Sequence, residues 1–301
     1  PTNVVSETAF VELEVRSRNN DKLEAHTKHL VGCLEAACEK FGAKLDCNVS
    51  TSYLGYSHPA DHPLVLRLSE VVRAAGMEWS VVESVPLHED IKKRTGDYLK
   101  YIENYKRTLI NLAKCGIKTV CYNFMPVLDW ARTDLDHPNP NGTTNLYFSY
   151  AEFAYFDIYI VGREGAREEW ASFKVPGLNV ERDILAEVDA LRAEMTPEGE
   201  HKLVENIIVK TQGFVSGNIR EDDEHPIELF RQLLSLYDGI TKDQLRENMR
   251  HFLSAIMPVC EECGMNMCVH PDDPPFPVLG LPRIVTSDED IEWFLGAVDN
   301  P

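Results

Sequence analysis

Three times in this chain a short apolar run reaches a polar residue and then a proline. The runs are Glu78-Trp-Ser-Val-Val-Glu-Ser-Val-Pro86, Ile117-Lys-Thr-Val-Cys-Tyr-Asn-Phe-Met-Pro126 and Met267-Cys-Val-His-Pro271. Proline has no N–H to give to a ladder, so each run ends as a central strand where its proline stands. A helical repeat follows the first run: Tyr98, Ile102, Tyr105, Leu109 and Leu112, closed by Gly116. Another helix is expected from Thr241-Lys-Asp-Gln244 through Cys263, and its glycine stop, Gly264, leads into the third run. Strand, polar tip, proline and helix in repetition predict an α/β fold with parallel strands, in barrel form.

A parallel α/β barrel carries its chemistry at the C-terminal ends of its strands. His270, Asp272 and Asp273 fall there, in Met267-Cys-Val-His-Pro-Asp-Asp-Pro-Pro-Phe276. An imidazole and two carboxylates suit a divalent metal or a polyol. The same aspartates would equally serve to cap the next turn.

The partner classes are narrowed by charge. Against 30 basic residues stand 49 acidic ones, a net charge of −19. Such a surface repels phosphate backbones and anionic lipid, so neither nucleic acid nor a membrane surface is an expected partner. No stretch approaches the roughly 20 apolar residues of a membrane span. Residues 1–20 lack the apolar centre of a signal peptide, which predicts a cytoplasmic protein. Its 44% hydrophobic and 26% charged residues are those of a globular chain with a real core. In that setting the eight cysteines read as buried thiols rather than a disulfide framework. Cys260-Glu-Glu-Cys263 has metal-knuckle spacing but lies within the helix and has no second pair.

The N-terminal part has a different texture. Residues 8–15 alternate as a half-buried strand. Residues 22–41 are amphipathic, with Leu23, Leu30, Leu34, Ala37 and Phe41 at helical spacing before Gly42. A second strand is expected over 44–50, then a loop holding His58, Asp61 and His62 between two prolines, then a helix over 64–75. Residues 127–217 break the strand–helix beat. They read as an inserted helical subdomain, with a helix near 189–195 and a capping signature at Thr196-Pro-Glu-Gly199.

Two resemblances follow from these words. Residues 1–76 form a β-α-β segment that resembles the lid portion of tripeptidase-T-like zinc peptidases, through Thr2-Asn-Val-Val5, Glu14-Val-Arg-Ser17, Lys22-Leu-Glu-Ala25 and Asp61-His-Pro-Leu-Val-Leu66. No zinc-binding position of that family is included. Residues 77–301 resemble D-mannonate dehydratase. The words are Trp79-Ser-Val-Val-Glu-Ser-Val-Pro86, His88-Glu-Asp90, Cys121-Tyr-Asn-Phe-Met-Pro-Val-Leu-Asp-Trp130, Arg132-Thr-Asp134, Val269-His-Pro-Asp-Asp-Pro-Pro275 and Leu279-Gly-Leu-Pro-Arg-Ile284. The two likenesses meet near Ala74-Ala-Gly-Met77.

The second resemblance implies a xylose-isomerase-like TIM barrel, here partial. It also implies loss of water from D-mannonate to give 2-keto-3-deoxy-D-gluconate in hexuronate catabolism, with Mn2+ or Fe2+ as cofactor. By the same likeness His270 is a metal ligand, and Asp272 and Asp273 would orient it and contact the substrate. His88 and Asn123 would face the sugar acid, and Arg132 would take its carboxylate in a two-pronged fork. For His88, Asn123 and Arg132 the alternative is a strand-end polar group that satisfies loop backbone. In the family a cysteine, a second histidine and an aspartate complete the metal set beyond the Leu279 segment, a stretch this sequence does not contain. The expectation is therefore one ligand of four, exposed strand edges and association between copies into a homo-oligomer. Two other readings stand beside the enzyme: a non-catalytic chimeric or truncated chain, and a metallopeptidase-related protein.

Overall fold

The computed structural model describes residues 20–49, 63–175, 182–211, 219 and 225–299. The chain divides into two compact units, Pro1–Glu78 and Trp79–Pro301. The expected strand over 8–15 and the His58/Asp61/His62 loop lie outside the described residues.

In the first unit, α1 spans Asn20–Phe41 and α2 spans Pro63–Ala74. The amphipathic spacing produces its helix: Leu23, Thr27, Leu30, Val31, Leu34 and Cys38 form one half-covered stripe along α1. Gly42 ends it at φ 68°, in the left-handed region. Proline opens α2, where its missing N–H costs nothing. The strand expected over 44–50 is absent from the described residues 44–49, which are non-repetitive and mostly exposed. Alternating polarity selects a face, but a strand also needs a neighbour to bond to, and these residues have none in a ladder.

The second unit is mixed α/β. It opens with β1 (Val81–Glu83), α3 (Glu89–Lys93), α4 (Tyr98–Lys114) and β2 (Thr119–Tyr122). The excursion then begins with a hairpin, β3 (Asp134–Pro138) and β4 (Thr144–Tyr147), antiparallel around an Asn-Gly turn. It continues with α5 (Tyr150–Tyr155), α6 (Ala166–Ser172), α7 (Ile184–Glu194), α8 (Pro197–Val204) and α9 (Pro226–Ser235). Six-residue π-helical turns extend α5 and α8. The chain returns through α10 (Lys242–Cys263) to β5 (Asn266–Val269) and α11 (Asp288–Leu295). Apart from the hairpin, the described residues of this stretch are mostly helical. Thr196 caps α8 by accepting from the Gly199 N–H, as its signature predicts.

Strands β1, β2 and β5 form one parallel sheet in that order, with Cys121 opposite both Glu83 and Cys268. Val120 and Tyr122 of the central strand are buried. On that face Phe252 of α10 meets Tyr122 and Tyr105 edge-on, with centroids 5.9 and 5.1 Å apart. The apolar stripe of α4 (Ile102, Tyr105, Leu109) and that of α10 (Met249, Phe252, Ile256) supply this core. Burying each such side chain contributes roughly 1.5–3 kcal/mol. The opposite face, carrying Glu83, Cys121 and Cys268, is exposed or half-buried. Among the described residues no helix is long and apolar enough to cross a membrane.

Candidate active site at the strand ends

All three parallel strands end at the same rim, and the polar tips gather there. The His270 N–H continues the ladder by donating to Tyr122 O at 2.7 Å. Its ring Nδ1 lies 2.7 Å from the Pro271 carbonyl oxygen. A carbonyl only accepts, so this contact puts the hydrogen on Nδ1 and leaves the lone pair on Nε2. His270 itself is exposed.

The two aspartates do not orient that imidazole, contrary to expectation. Asp272 is buried, and its Oδ2 accepts from the Ile284 and Val285 N–H groups at 2.7 and 2.9 Å. It staples the proline-rich segment to the one before α11, which is a structural use of the carboxylate. Asp273 pairs with Arg132: Nη1 donates to Oδ1 at 2.9 Å and Nη2 to Oδ2 at 2.8 Å. The two-pronged fork expected of Arg132 therefore exists, but its partner is a side chain of the chain itself. Arg132 Nη1 also donates to Ala131 O at 2.7 Å.

Asn123, at the tip of β2, donates from Nδ2 to Asp129 Oδ2 at 3.0 Å, and its Oδ1 accepts from the Met125 N–H. Asp129 lies within the Cys121–Trp130 stretch that carries the family likeness, but nothing beside it in the sequence marks it as a site residue. Burial pushes its carboxyl up, against the opposing pull of Lys92, Arg283 and His270. Asn123, Asp129 and His270 thus form one electrostatic neighbourhood at the rim. His88 caps α3 instead. Its Nδ1 accepts from the Asp90 N–H at 3.1 Å, and its ring stacks on Tyr101 with centroids 3.7 Å apart.

Beside the tips lies a buried network that the sequence reading missed. Glu89 Oε1 accepts from Lys92 Nζ at 2.6 Å, and its Oε2 accepts from the Tyr237 hydroxyl. Burial alone would raise the Glu89 carboxyl, but Lys92, Tyr237 and the Val127 N–H together hold it below its ordinary value. Glu89 stood inside a recognised word, whereas nothing near residue 237 announces its tyrosine.

Among the described residues no group of three or more His, Cys, Asp and Glu side chains converges as a metal site. His270 offers one well-oriented nitrogen donor, which falls short of a complete set for manganese or iron. Cys260 is buried on α10 with its thiol pushed up to about 11, mainly by burial, which opposes a thiolate ligand role at neutral pH.

Residues 61–301 match the sequence profile of the family D-mannonate dehydratase (UxuA). A mannonate dehydratase of Marinomonas sp. (strain MWYL1) is 48% identical over 231 residues, covering 77% of this chain and 55% of that protein. One from Chromohalobacter salexigens is 43% identical over 234 residues, with 77% and 55% covered. A crystal structure of mannonate dehydratase from Streptococcus suis serotype 2 aligns at a TM-score of 0.49 and 30% identity, covering 84% of this chain and 53% of that one. The chain spans about half the length of the curated relatives it matches. The matches give no support to a peptidase likeness, and residues 61–76, assigned to it above, fall inside the dehydratase profile. This chain belongs to the D-mannonate dehydratase family.

Proposed function

We propose that the chain carries part of the machinery for metal-dependent dehydration of D-mannonate to 2-keto-3-deoxy-D-gluconate and water, in cytoplasmic hexuronate catabolism. The single observation that carries the reading, beyond the family, is His270. Its Nδ1 is fixed on the Pro271 carbonyl and its Nε2 is left as a free donor at the strand rim. A backbone carbonyl on the second ring nitrogen is the usual partner of a metal-ligating histidine. Bound Mn2+ or Fe2+ would supply Lewis-acid polarisation of the substrate carboxylate. The remaining donors are taken to come from outside the described residues.

The chain's own residues then have distinct tasks. Asn123 and the exposed His88 are the proposed contacts to the sugar-acid hydroxyls. Arg132, locked on Asp273, shapes the rim between β2 and the proline-rich segment and takes the substrate carboxylate only if that pair opens. Asp129, with its carboxyl raised by burial, stands where a proton could be held near His270. The parallel order β1-β2-β5, with α4 and α10 on one face, supports placing these strands in a TIM barrel. The outer strands have free edges among the described residues, and pairing of copies through them supports a homo-oligomer.

The test is direct. The purified 301-residue chain should retain Mn2+ or Fe2+ after desalting and form a 2-keto acid from D-mannonate, and His270→Ala should lose both. A chain that binds neither metal and forms no product, assayed beside an active full-length relative, would remove the proposal for this chain.

A further inference from the structure

The turn between Asn123 and Asp129 is held in a conformation its own sequence does not favour. Val127, a β-branched residue, sits at φ 57°, in the left-handed region that L-residues with bulky side chains avoid. Such strain persists only where the surroundings over-determine it. Here the surroundings are specific. The Val127 N–H donates to Glu89 Oε2 at 3.3 Å, and Lys92 Nζ donates to the Met125 carbonyl at 2.7 Å. The same two side chains bond each other, and Tyr237 donates its hydroxyl to Glu89. Lys92 is in turn fixed through its carbonyl, which accepts from Asn248 Nδ2 at 2.8 Å, while Gln244 Nε2 donates to Asn248 Oδ1 at 3.0 Å. Lys92, Tyr237 and Asn248 are all buried. Contacts from α3, the segment after α9 and α10 thus converge on two backbone groups of one seven-residue turn.

Stability alone does not require such an arrangement. Apolar side chains of similar volume commonly serve a core as well as a buried ion pair or better. What this pair does that apolar groups cannot is to grip a carbonyl and an N–H at defined points. Those points lie between the two residues that meet at the strand rim, Asn123 and Asp129, joined at 3.0 Å.

We propose that Glu89 and Lys92, supported by Tyr237, are positioning residues. Their ion pair clamps the 123–129 turn and thereby sets where Asn123 and Asp129 stand relative to His270. The functional meaning rests on the dehydratase reading above, but the clamp itself can be tested without it.

Glu89→Ala would strand the Lys92 charge in the interior and is expected to compromise folding. The decisive variant is therefore Glu89→Gln with Lys92→Met, which keeps volume and removes both charges. Amide hydrogen exchange of the full 301-residue chain is compared with that of this double variant and of Tyr237→Phe. In a double variant that still melts cooperatively, Val127 and Leu128 should exchange about tenfold faster, with the β5 amides unchanged, as for loss of a local anchor. Tyr237→Phe should give a smaller change at the same amides. Exchange at Val127 and Leu128 within about twofold of wild type in the folded double variant would overturn the clamp. Where the wild-type chain turns over D-mannonate, the double variant should lose kcat about tenfold with KM within about twofold. An inactive wild-type chain would strike the dehydratase reading and leave the exchange result to judge the clamp.

Discussion

Helices α1 and α4 begin from the same sequence device and end in different states. Each carries apolar residues at helical spacing, and each forms. In α4 the stripe Ile102, Tyr105 and Leu109 is buried to 4% exposure or less, whereas no residue from 21 to 41 in α1 is buried. The difference lies in what faces each stripe. Helix α4 has α10 beside it, and its Tyr105 meets Phe252, which also covers the central strand. Periodicity therefore specifies a face, but the energetic value of that face is set by elements far away in the sequence.

That contrast can be broken by mutation. Phe252→Ala, which empties the junction of β2, α4 and α10, should cost roughly 3–5 kcal/mol and lower the urea midpoint sharply. A loss below about 1 kcal/mol would mean this junction is not the core.

The next effect depends on pH. Asp290, almost wholly buried at the start of α11, accepts from Lys242 and Arg246 of α10 and from Thr286. Burial raises its carboxyl, but these donors prevail and hold it down at about 2. A carboxyl depressed in the folded state stabilises fully above its unfolded value, and the gain disappears as pH falls from about 4 through about 2. The loss is on the order of 2 kcal/mol. Asp290→Asn should remove that segment of the acid-denaturation curve, and an unchanged curve would contradict the assignment. The smallest effect belongs to the first unit: Leu34→Ala on the half-covered stripe of α1 should change stability by less than about 1 kcal/mol in the same melts.

The parallel core was legible because its signals are local. Proline marks where β2 and β5 end, and glycines at 116 and 264 stop the helices before them. The tips at 123 and 270 are likewise visible, since a polar residue between a strand and a proline stands out, whereas His88 comes after its proline and caps α3. The partners are not visible. Arg132 and Asp273 are 141 positions apart, and Tyr237 reaches Glu89 across 148, distances over which no local pattern carries information. The hairpin of β3 and β4 is not legible locally, because Pro138 closes β3 and Pro140 stands within the turn, which masks the Asn-Gly signal. The strand expected at 44–50 failed for the opposite reason: its alternation was present, but no second strand pairs with it among the described residues.

The contact between His270 and Pro271 has one more consequence. The atom that decides which ring nitrogen carries the proton belongs to the main chain. Replacing Pro271 with alanine retains that carbonyl. An alanine scan of residues 271–275 would thus miss this determinant, and its mutational tolerance would be mistaken for irrelevance. Chemical exchange of the 271–272 amide for an ester weakens the acceptor without touching any side chain. It also removes the Asp272 N–H that donates to Val285 O, so an ester at 272–273 serves as the comparison. The expected result is a shift in the tautomer balance of His270, visible in its ring nitrogen resonances.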